Sequence, residues 1–159
     1  MAIDRLIDGD LDGSGIGDDH APKVKEVINE CVDVANRDDR ASVSEVDLKD
    51  GGATDYEAAL GGDGTYQFIP TTVLVKIDAA VSLNADATIA VGTTAGGTDV
   101  LAATAITGAT DVGKVFPVPL DAVQPLILDN ATLYVSNPGA DTGTSGEATV
   151  IIEGRKVAA

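Results

Sequence analysis

The stretch that decides the fold is "TTVLVKIDAAV", Thr71 to Val81. Val73, Val75 and Ile77 alternate with Leu74, Lys76 and Asp78. A period of two, with one face apolar and the other mixed, is the signature of a strand that covers a core with one side only. The same grammar recurs downstream. "ATIAVGTT" (87–94) puts Ile89 and Val91 on one face, and "TDVLAATAIT" (98–107), "GKVFPVPL" (113–120) and "QPLILD" (124–129) follow as short candidates. "ATLYVSNPGA" (131–140) alternates Leu133 and Val135 against Thr132, Tyr134 and Ser136, then turns at Asn137-Pro138-Gly139. "GEATVIIEGRKV" (146–157) places Val150 and Ile152 together.

About eight short strands with frequent turn signals and no helical pattern between them predict a mainly β domain. The expected form is an antiparallel β-sandwich, jelly-roll-like, over residues 64–159. Pro117, Pro119 and Pro125 belong at strand edges or turns, because proline has no N–H to give to a ladder.

Upstream the character changes. Residues 1–63 hold 17 acids and 6 bases, and residues 64–159 hold 9 acids and 4 bases. The first part therefore reads as an acidic N-terminal arm. It carries one short α-helix, from residue 21 to about 37, whose stripe is Val24, Val27, Ile28, Cys31 and Val34 at spacings of three and four. Pro22 suits its first turn and Asp18 or Asp19 its cap. So narrow a stripe reads as a contact with the domain behind it or with copies of itself in an oligomer. Residues 38–63 read as an extended, polar connector.

Composition narrows the function. The chain has 159 residues, a formal net charge of -16 and a pI near 4.1. Such a surface repels nucleic acid and anionic membrane. No apolar run approaches the ~20 residues of a membrane span, and the N-terminus lacks the pattern of a signal peptide, which points to synthesis in the cytosol. Tryptophan is absent and aromatics make up 3%, which leaves little to stack on sugars or bases. One histidine (His20) and one cysteine (Cys31) offer no nucleophile–base pair, and the acids of the strand region are scattered singly where turns belong. No catalysis and no cofactor are expected.

One motif invites a metal. In "DGDLDGSGIGDDHAP" (8–22), Asp8, Asp10, Asp12 and Gly13 match the opening of an EF-hand calcium loop, with Asp19 at the twelfth position. The match is partial. An aspartate replaces the bidentate glutamate, Gly15 replaces the apolar eighth residue, and no second hand follows. The stretch reads as an acidic cap on the helix, with calcium at Asp8, Asp10, Asp12 and Asp19 as the alternative. The glycine-rich stretches 61–65 and 93–99 lack the lysine and spacing of a phosphate loop and read as turns. "TGTSG" (142–146) reads as a hairpin tip.

Two longer segments, "VSLNADATIAVGTTAGGTDVLAATAITGATDVGKVF" (81–116) and "LILDNATLYVSNPGADTGTSGEATVIIEGR" (126–155), resemble the β-sandwich modules of tailed-bacteriophage virions, of the capsid decoration (cement) or head-fibre type. The resemblance covers roughly residues 66–155 and rests on strand and turn chemistry. It implies a structural protein on the outer surface of an assembled shell, bound to the major capsid protein, self-associated as a homotrimer and stabilising the shell. The virion would be its location. A head-fibre, tail or baseplate component is the nearest alternative. A calcium- or carbohydrate-binding β-sandwich module is the second.

Overall fold

The computed structural model describes residues 38–49, 54–82, 87–106, 112–121, 123–139 and 145–158. Two compact units divide the chain, Met1–Asp38 and Asp39–Ala159. The expected helix over 21–37 lies outside the described residues.

Nine strands run in chain order: β1 (Asp38–Asp47), β2 (Asp55–Ala59), β3 (Tyr66–Ser82), β4 (Ala87–Gly92), β5 (Leu101–Ile106), β6 (Val115–Val118), β7 (Ile127–Leu128), β8 (Thr132–Ser136) and β9 (Ser145–Ala158). They form two antiparallel sheets. The long sheet has the order β1-β9-β3-β6, with β7 also paired to β3; the short sheet has the order β2-β8-β4-β5. β9 pairs with β3 from Tyr66↔Ala158 to Ser82↔Ser145. β6 and β7 therefore share the opposite edge of β3, at Val73–Lys76 and Gln67–Phe68.

The alternation read from the sequence is the alternation of burial. Val73, Val75 and Ile77 are fully buried, and in register with them so are Ile152, Val150 and Ala148. Leu133, Val135, Ile89 and Val91 do the same for the short sheet. Side chains from both sheets join one hydrophobic cluster, with Phe68 its largest fully buried member. Each such side chain contributes about 1.5–3 kcal/mol on leaving water.

Three departures from the sequence reading have physical causes. First, the connector expected over 38–63 supplies β1 and β2, so the β unit begins near residue 39 and not at residue 64. In β1 the buried positions are Ala41 and Val46, with Val43 packed against the core, and Leu48 just past its end is buried too. Odd numbers give way to even ones, and Glu45, at φ 60°, absorbs the change of phase. A left-handed non-glycine residue inside a strand hides the period of two from any reading by pattern. Second, β3 extends back through Pro70 to Tyr66. The proline is tolerated because the pairing with β9 shifts register between Pro70 and Thr72, and it lies between the β7 and β6 pairings. Third, Leu101 and Ile106 are both buried although five residues apart, which a regular strand forbids. A register shift between Ile89 and Val91 sets two β5 residues opposite one β4 residue and returns Leu101 to the inner face; the Thr104 hydroxyl donates to the Ala102 carbonyl at this bulge, at 2.8 Å.

Candidate functional site

The metal candidates Asp8, Asp10, Asp12 and Asp19 lie outside the described residues, as do His20 and the stripe Val24, Val27, Ile28, Cys31 and Val34. Among the described residues no group of three or more His, Cys, Asp or Glu side chains is arranged to hold a metal ion. Four polar groups among the described residues stand out as anchors.

The first is Asp129, in the turn between β7 and β8. Sequence logic places an acid at a turn in water; here it is 1% exposed. Its Oδ1 accepts the Gly64 amide at 2.8 Å and the Tyr66 amide at 3.4 Å, and its Oδ2 lies 3.4 Å from Lys156 Nζ. Its own backbone completes the joint, the carbonyl accepting from Gly62 and the amide donating to Tyr66. A Cβ on Gly62 would sit 2.1 Å from the carboxyl carbon, so only glycine admits this approach. "GGDGT" is thus a loop drawn in by one buried carboxylate. The glycine spacing and the lysine near the end of the last strand were the only traces of it in the sequence. Asp63, on the rim of the same loop, is held below the ordinary carboxylate value by the Thr65 hydroxyl and amide.

The second anchor is Asn137, 3% exposed at the end of β8. Its Nδ2 donates to the Leu48 carbonyl at 2.9 Å, and its Oδ1 accepts the Thr88 and Gly139 amides at 3.3 Å each. One amide side chain thus ties the segment after β1 to β4 and β8. Asn137, expected at a turn, directly follows β8, and nothing local to it in the sequence announces this role.

The third is the loop from Thr93 to Asp99. Asp99 accepts the Thr93 amide at 2.9 Å and the Thr93 hydroxyl at 2.7 Å, while Gly96, at φ 68°, donates its amide to Asp55 at 2.8 Å. Burial, the largest influence on Asp99, pushes its carboxyl up, but the two Thr93 donors outweigh it and hold the group below 3.8. A Cβ on Gly92 would strike the Gly97 backbone at 2.4 Å, so the loop folds back on β4 over a bare glycine. The fourth is Asp78 on the outer face of the long sheet. Lys76, at 2.6 Å, and then the Thr149 hydroxyl hold its carboxyl low.

These carboxylates are occupied by amides, hydroxyls and lysines, so they fasten loops. The feature left facing outward is apolar. Of the seven large hydrophobic side chains exposed among the described residues, five (Val112, Val115, Val123, Leu126 and Leu128) belong to the segment 112–128, which carries β6 and β7 along the edge of β3. Val157 and Leu128 flank Gln67 in register beside it.

No family model matches this chain, and neither a curated protein nor a solved structure does.

Proposed function

We propose that this chain is a structural protein of a tailed-bacteriophage virion: a jelly-roll β-sandwich behind an acidic arm that bears a short helix, binding the outer surface of the capsid and stabilising it as a decoration (cement) protein. It acts by area of contact and without catalysis. Its partners are the major capsid protein and further copies of itself, as a homotrimer.

The observation that carries the reading is the pairing order. β1 lies beside β9, β2 pairs with β8, β3 with β6 and β4 with β5. Pairs nested in this way, with successive pairs alternating between two sheets, arise when one long antiparallel ribbon doubles over itself. Such nesting supports the jelly-roll reading, a connectivity that viral capsid domains, lectins and cupins share. The interior here is packed with Phe68, Ile77, Ile89, Leu133 and Ile152, and the polar anchors bind the protein's own loops. Packing of that kind favours a scaffold.

Immunogold labelling of purified virions with antibody against this chain tests the reading. Label over the heads, and a higher melting temperature of undecorated shells after the purified protein is added, are the expected results. Label confined to tails or baseplates would move the protein to that assembly, and unlabelled virions would overturn the proposal.

A further inference from the structure

We infer that the edge of the long sheet formed by residues 112–128 is the surface through which this chain packs against further copies of itself around a rotation axis. The inference deepens the self-association proposed above and rests on it.

Two independent features single out this edge. The first is apolar exposure. Val123 is 85% exposed, Leu126 60%, Val112 58%, Leu128 52% and Val115 51%, all within one short segment. Scattered exposed hydrophobics need no explanation, but a concentration along one edge marks an interaction surface. The second is charge. Residues 112–128 contain one acid (Asp121) and one base (Lys114) in a chain of net charge -16. Residues 100–111, which include β5, contain one acid (Asp111), and β5 lies against β6. On the opposite edges, residues 38–60 carry seven acids and two bases, and the Asp47 amide donates to the Tyr56 hydroxyl at 3.0 Å to hold β1 against β2. A rotation axis brings the same side chains of every copy together. Acids placed there would meet their own copies in a poorly solvated space, so the charge-neutral edge is the one a symmetric assembly of this chain can turn inward.

The mode of contact also follows. Strand addition needs a row of free N–H groups, and Pro117 removes one from the four-residue β6, with Pro119 and Pro125 beyond it. The copies therefore pack side chain against side chain and do not extend the sheet.

Sedimentation velocity of the full chain is the test, on the wild type and two variants of equal added charge. One variant carries Val115→Asp, Val123→Asp and Leu126→Asp on the edge. The other carries Ser42→Asp, Ser44→Asp and Ala59→Asp on exposed positions of β1 and β2. The wild type and the β1/β2 variant should sediment as the same oligomer. The edge variant should sediment as a folded monomer, with its dissociation constant raised about 100-fold or more. A monomeric wild type overturns both the self-association and this surface. An oligomer that survives the edge substitutions overturns the surface and leaves the self-association standing. Dissociation of both variants would also overturn it, by tracing the effect to net charge. Should the triple variant melt far below the wild type, Val123→Ser with Leu126→Ser replaces it, and an unchanged dissociation constant there overturns the inference equally.

Discussion

The two sheets are held together in different ways. The long sheet rests on β3 and β9, of 17 and 14 residues, paired along their lengths. The short sheet has four strands of 5 or 6 residues, and its ends are fastened by single side chains: Asn137 at one, the Asp99 loop with Asp55 at another. A long ladder tolerates three register shifts and a proline without losing its course. A short one has few backbone bonds to spare, so its position depends on a few polar groups with defined partners. The long sheet has a long ladder beside its side-chain ties, Asp129–Lys156 and Lys76–Asp78–Thr149, whereas the short sheet has few backbone bonds and depends in larger part on its anchors.

The comparison can be broken in order of expected effect. Phe68→Ala removes the largest fully buried side chain of the core and should cost about 4 kcal/mol, read by urea denaturation. A cost no greater than that of a surface change would show that Phe68 does not hold the long sheet. Asp129→Ala removes the buried carboxylate beside Lys156 and leaves the Gly64 amide without its acceptor, for about 3 kcal/mol. Asp129→Asn keeps an acceptor for Gly64 and should cost less; equal losses would mean that the amide bonds from Gly64 and Tyr66 contribute nothing beyond the ion pair. Asn137→Ala leaves the Leu48 carbonyl and Thr88 amide unsatisfied, for about 2 kcal/mol. Hydrogen exchange should then quicken in β2, β4 and β8 while β3 and β9 keep their protection. Uniform loss across both sheets would erase the distinction drawn here.

The smallest effect is that of pH. Asp78 and Asp99 have folded-state pKa values below the ordinary 3.8. In the unfolded chain they return to about that value, so their contribution is complete above pH 3.8. It is lost as the pH falls through the lower folded-state values. For Asp78, whose side chain is 28% exposed, solvent screening limits this to about 0.5 kcal/mol. Thermal melts below pH 3.8 should fall less steeply for Asp78→Asn than for the wild type. Parallel curves would dismiss the Lys76–Asp78–Thr149 group as a contributor.

Seven of the nine strands were legible in the sequence, because a half-buried strand writes its burial into alternate residues, as at Val73, Val75 and Ile77 or Leu133 and Val135. β1 and β2 were not. The phase change at Glu45 breaks the pattern in one, and the acids of "DYEAA" disguise the other. Polar anchors were legible only as turns. An aspartate at a turn is usually solvated, and nothing local to Asp129 announces Gly62, Gly64 and Lys156 as its neighbours.

The β class, the inner faces of the principal strands and the overall acidity were legible in the sequence alone, since alternation and charge are properties of local composition. Only the tertiary structure decided the nested pairing order, the burial of Asp129 and Asn137, and the gathering of five exposed apolar side chains along one edge. Those depend on contacts between residues far apart in the chain, as between Leu48 and Gly146 or Tyr66 and Ala158, and no local pattern encodes contacts at that range.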